Sequence, residues 1–143
     1  MDTRSIALVR DSFALVQPLA AQAARSFYTR LFARHPGVRG LFGPDIEAQG
    51  ERLMAMIATG VRLLDRPQEL QPALRALGRR HVDYGVRDAH YAAVGDALLD
   101  TLANALGETF TADTRAAWVA FYDEVASAMR EGAAAPRQRC VSG

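Results

Sequence analysis

Cysteine occurs once in the 143 residues, as Cys140 near the C-terminus, so no intramolecular disulfide is available and a disulfide scaffold is excluded. Lysine is absent altogether: all 17 basic residues are arginine, balanced by 16 acidic ones to a formal net charge of +1. That balance speaks against a dedicated nucleic-acid binder, which concentrates basic charge on one face. No apolar run approaches the ~20 residues of a membrane span, and no N-terminal stretch has the pattern of a secretory signal. The expected setting is therefore a reducing cytoplasm. Alternating strand patterns are nearly missing too, while helical periodicity recurs between proline and glycine breakers. The reading is an all-α chain of one domain, large enough to bury its core unaided.

The periodicity predicts a first helix from about Ser5 to Gln17, with Ile6, Val9, Phe13 and Val16 on one side. Pro18 opens a second, carrying Ala24, Phe27, Tyr28, Leu31 and Phe32 up to His35-Pro36. A turn-rich piece follows, and Asp45 is placed to cap a third helix that runs to about Leu64. Pro72 fits the first turn of the helix that carries His81 and ends before Gly85. Two more helices follow, one closed at Leu106-Gly107 and one capped by Thr111. The Ala/Gly-rich residues 133–143 are expected to be a disordered tail behind a domain of residues 1–132.

Leu74, Leu77 and His81 stand three and four apart, which puts an imidazole on the apolar face of a helix. Such a group needs a buried hydrogen-bond partner or a metal, so a satisfied core histidine and a metal ligand are both open. Phe42 reads equally as a core aromatic. Tyr28 on an apolar face often bonds a backbone carbonyl, and Gln49 at a helix start is usually solvated. Gln49, Leu53 and Met56 nevertheless share one helical side, and Gly50 opposite Ala24 allows the second and third helices to approach closely.

Taken together, several runs carry a resemblance: Ser26-Phe27-Tyr28-Thr29-Arg30-Leu31-Phe32, Gly40-Leu41-Phe42, Gln49-Gly50-Glu51-Arg52-Leu53-Met54, Leu77-Gly78-Arg79-Arg80-His81-Val82-Asp83-Tyr84-Gly85-Val86, Ala89-His90-Tyr91-Ala92-Ala93-Val94-Gly95-Asp96 and Ala116-Ala117-Trp118. In this order they resemble the single-domain bacterial globins related to the haem domains of flavohaemoglobins, the Hell's Gate type above all. The resemblance implies a three-over-three helical sandwich around haem b, with His81 as the iron ligand and Phe42 stacked on the porphyrin. It puts Tyr28, Gln49 and Leu53 on the ligand side, and Val86, Tyr91 and Val94 among the cofactor contacts. Arg52 and Arg80, and beyond them Arg79, are candidate partners of the haem propionates, against the alternative of a solvated face. His35 and His90 are assigned to the surface or to a layer behind the site, not to iron.

The pattern departs from the family at one place. The glutamate that strengthens the proximal histidine in flavohaemoglobins falls on Ala133, and Glu131 is rotated by about 200° around the helix. Tyr91 matches the accompanying tyrosine. No flavin or nicotinamide sequence follows, so any electrons are expected from a separate reductase. The function implied is tight, reversible binding of O2, with CO and NO as further ligands, by a monomer or homodimer. Nitric oxide dioxygenation is the enzymatic alternative, and a globin-fold sensing or interaction module the alternative of another class.

Overall fold

Breakers and caps divide the chain as the periodicity requires. The computed structural model describes residues 1–134 and contains six α-helices: α1 (Thr3–Val16), α2 (Ala20–Arg34), α3 (Ile46–Arg62), α4 (Pro67–Asp83), α5 (Asp88–Leu106) and α6 (Ala112–Ala134). Single 3-10 turns join α1 to α2 at Gln17–Leu19 and α5 to α6 at Gly107–Thr109, and a longer one, Pro36–Leu41, leads towards α3. The caps are chemical. Asp2 accepts from the Ser5 amide at 2.8 Å, Asp45 from that of Ala48 at 3.0 Å, and the Thr111 hydroxyl from that of Thr114 at 3.1 Å, each satisfying a first-turn amide with no helical partner. Gly85 (φ 92°) and Gly107 (φ 56°) end α4 and α5 in backbone conformations that side chains disfavour.

Two boundaries differ from expectation. Pro67, not Pro72, takes the first turn of α4, because the break at Asp65-Arg66 lets the helix start there; Pro72 lies inside the helix. A proline that near the start removes one backbone bond without ending the helix. At the other end α6 continues to Ala134, past residue 132. The remainder of the expected tail, 135–143 with Cys140, lies outside the described residues.

The helices sort into two layers of three. α2 packs on α5, and α5 on α6; across them lie α1, α3 and α4, with α3 against α2, α1 against α6, and α4 against α6. Trp118 is fully buried where α1 meets α6, its indole N–H donating to the Ser12 hydroxyl at 2.8 Å, with Phe13 and Phe121 around it. That bond removes the penalty of a buried indole donor. No described helix is long and apolar enough to cross a membrane.

Candidate functional site

The two layers do not close on each other at one end. Between α2, α3, α4, α5 and α6 they leave a cavity of about 760 Å³, within the size of small-molecule and cofactor sites. Its walls are largely aliphatic and aromatic: Leu31, Val38, Leu41, Leu53, Ile57, Leu74, Leu77, Val86, Val94, Leu98, Phe121, Val125 and Met129 among them.

On the α4 wall stands His81. Its Nδ1 lies 2.9 Å from the Leu77 carbonyl oxygen, one turn back. Since a carbonyl only accepts, Nδ1 carries the proton and Nε2 keeps its lone pair. Burial holds the imidazole below its ordinary pKa against the opposing Leu77 bond, with Arg80 adding to the depression, so the neutral form prevails at neutral pH. The same geometry answers both sequence readings, for the histidine is hydrogen-bonded and still has a free donor atom.

Across from it, α2 contributes Tyr28 and α3 contributes Gln49, Leu53 and Met56, all lining the cavity. Gly50 permits the approach: a Cβ there would sit 2.9 Å from the Ala24 Cβ. Tyr28 is buried, edge-on to Phe27 and Phe42 and stacked with Phe32. Burial pushes its phenol up to about 12, against the Arg52 charge, so the hydroxyl remains a donor throughout the physiological range. Its partner is the Gln49 backbone carbonyl at 3.4 Å, a long bond. Phe42 is held by Arg39, which donates to the carbonyls of Phe42 and Gly43 at 3.2 and 3.3 Å and covers the Phe32 ring.

Val86, Tyr91, Val94 and Arg52 also line the cavity; Arg80 and Arg79 do not, and Arg80 is exposed. His35 stays outside it. Sequence reasoning missed several lining residues. Tyr84, three after His81, shares its helical side, its ring 5.8 Å from the imidazole. His90 lines the cavity while its Nδ1 accepts from the Arg87 amide at 2.9 Å, which places the ring proton on Nε2. The two cavity histidines thus have opposite tautomers, and only His81 offers a free ring lone pair. Tyr122 donates to the Tyr91 carbonyl at 2.6 Å, and Gly95 makes room for its ring. Nothing in the sequence pattern singled Tyr122 out.

Among the described residues no carboxylate lines the cavity, and no group of three or more His, Cys, Asp or Glu is placed to hold a bare ion. Glu131 points to Arg75 at 3.6 Å. One neutral imidazole in an apolar cavity fits a metal held chiefly by an organic ring. A flat apolar macrocycle with carboxylate substituents suits these walls, with Arg52 at hand for a carboxylate.

Six described helices in two layers enclose a cavity lined by both His81 and Tyr28, and residues 25–129 match the globin family. The chain belongs to the globin family. It is 33% identical over 123 residues to a flavohemoprotein of Bordetella parapertussis, covering 84% of this chain and 31% of that one. The chain thus spans about a third of the length of the flavohemoproteins it matches. It is 31% identical over 130 residues to an anaerobic nitrite reductase of Oryza sativa subsp. indica, covering 87% and 90% of the two chains. Among solved structures, an engineered carbene transferase built on a candidate nitric oxide dioxygenase from Rhodothermus marinus superimposes with a TM-score of 0.83 at 29% identity, over 94% of each chain. The globin fold and the kinship to flavohaemoglobin haem domains expected from the sequence are therefore found.

Proposed function

We infer that the protein binds haem b through His81 and holds O2 reversibly and tightly on the Tyr28 side, with CO and NO as competing ligands. The observation that carries this reading is the pairing of a bare His81 Nε2 with a buried, protonated Tyr28 across one apolar cavity. When bound, the haem supplies a ferrous iron with one position open to a diatomic gas. The chain's residues do the rest. His81, its ring fixed by Leu77, anchors the group and keeps the correct tautomer. Phe42 and the aliphatic walls exclude water from the ring faces. Tyr28 is bound only by a long contact, so turning its hydroxyl towards a polarised ligand sacrifices little. Gln49 adds an amide donor from the same wall. Arg52 is placed to pair with a propionate.

A second reading is supported by the kinship to flavohemoproteins and to the candidate dioxygenase of R. marinus: oxidation of nitric oxide by O2 to nitrate, with a separate reductase returning the iron to the ferrous state. His81 Nδ1 is bonded to the neutral Leu77 carbonyl and no carboxylate is among the described lining residues, which supports the binding reading over peroxidase-like chemistry. Nitric oxide consumption by the reduced protein under air separates the two. Stoichiometric loss of one equivalent followed by a halt fits an O2 binder, and sustained turnover with an added reductase fits the dioxygenase.

A further inference from the structure

α4 and α6 touch backbone to backbone. A Cβ on Gly78 would lie 1.9 Å from the Met129 carbonyl oxygen, and a Cβ on Gly132 would lie 1.9 Å from the Arg75 carbonyl oxygen. The arrangement is reciprocal: residues 75 and 78 lie one turn apart on α4, and 129 and 132 one turn apart on α6, each glycine facing a carbonyl of the other helix. Ordinary contact begins at 3.4 Å, so an alanine at either place demands a separation of about 1.5 Å (3.4 minus 1.9). At Gly95 the obstacle is the Tyr122 ring and at Gly60 the Phe121 ring, which are side chains able to turn. At the α4–α6 crossing it is main chain, and the helix itself must move.

The crossing coincides with the turn that holds the imidazole. Gly78 directly follows Leu77, whose carbonyl fixes His81 Nδ1, and Leu77 and Met129 both line the cavity. We propose that the Gly78–Gly132 crossing is the positioning element for His81, seating its turn on the backbone of α6 and so setting where Nε2 stands in the cavity. This rests on the reading of His81 as the iron ligand. Bound-metal geometry tolerates errors of only ~0.5 Å, well under the displacement an alanine would impose. The resemblance puts the family's proximal glutamate at Ala133, beside Gly132. Orientation here comes from backbone contact in place of a charged partner, and Gly78 and Gly132 are positioning residues.

The test is resonance Raman of the ferrous haem protein in Gly78→Ala and Gly132→Ala, with Ser12→Ala as a control that removes the remote bond to Trp118. Both glycine variants are expected to displace the Fe–His stretching line beyond the wild-type linewidth and to weaken haem affinity by roughly 10–100-fold, the scale of losing an orienting partner. Ser12→Ala should melt earlier with its line unmoved. If Gly78→Ala does not fold, Gly132→Ala decides alone, because its obstacle is a turn further from His81. An unshifted line with haem retained in the glycine variants that fold overturns the proposal. His81→Gly separates this from failure of the ligand reading: the line must vanish there and return with added imidazole. Should it persist in His81→Gly, the ligand assignment itself is wrong, whatever the glycines do.

Discussion

Tyr28→Phe removes one hydroxyl and keeps the ring between Phe27, Phe32 and Phe42. In the ligand-free protein that hydroxyl makes only the 3.4 Å contact to the Gln49 carbonyl, so the variant should lose less than about 1 kcal/mol of stability. With O2 bound, the acceptor is polarised and carries partial negative charge. Hydrogen bonds to charged acceptors contribute about 1.5–3 kcal/mol, and ~1.4 kcal/mol is a factor of ten, so O2 dissociation should accelerate roughly tenfold to a hundredfold. Bound CO is much less polar and its dissociation should change far less. Because the phenol titrates only at about 12, the wild-type O2 dissociation rate should also be flat from about pH 6 to pH 9. Stopped-flow displacement measures both ligands. Equal acceleration for O2 and CO would mean that the cavity had merely opened, and no acceleration for O2 would mean that Tyr28 keeps its bond to the α3 backbone and does not reach the ligand.

Haem ligation should follow the tautomers: His81→Ala loses haem unless imidazole is supplied, whereas His90→Ala and His35→Ala retain it, as titration with hemin and the ferrous-CO spectrum would report. Retention of a wild-type CO spectrum by His81→Ala would remove the assignment. With the neutral Leu77 carbonyl on His81 Nδ1 and no carboxylate among the described lining residues, the Fe–His stretch should lie in the range of oxygen-storage globins and peroxide turnover should be slow; a peroxidase-like frequency would contradict this. Gly50→Ala must part α2 and α3 by about 0.5 Å, since its Cβ would meet that of Ala24 at 2.9 Å against an ordinary 3.4 Å. Overpacking costs of ~1–3 kcal/mol, offset by the ~1 kcal/mol helix gain of alanine, predict a melting temperature lower by a few degrees together with faster O2 release. An unchanged release rate would detach that close approach from Tyr28.

The parts of the fold written in local chemistry were legible. Asp45, Thr111, Gly85 and Gly107 mark helix ends by side-chain acceptors and by positive φ, signals that depend on neighbours a few residues away. The apolar spacing of Leu74, Leu77 and His81, and of Gln49, Leu53 and Met56, placed two walls of the cavity. The family resemblance brought the walls together, which spacing alone could not do. What stayed hidden depends on contacts between distant segments. Arg80 looked like a propionate partner because it adjoins His81, yet neighbouring helical residues point about 100° apart, and it faces solvent. Tyr122 lines the cavity where it bonds the carbonyl of Tyr91, 31 residues earlier. His90 reaches it because α5 starts at the cavity rim, with the Arg87 amide holding the ring. Pro72 read as a helix start since proline favours the first turn, but Pro67 had already taken that place.

The absorption spectrum of the purified protein, reduced and then exposed to O2, tests the central claim most directly. A Soret band with about one haem per chain, shifting reversibly on O2 addition and lost in His81→Ala, is the predicted result. A colourless protein that takes up no hemin would contradict the account and leave the cavity to a globin-fold interaction module without haem.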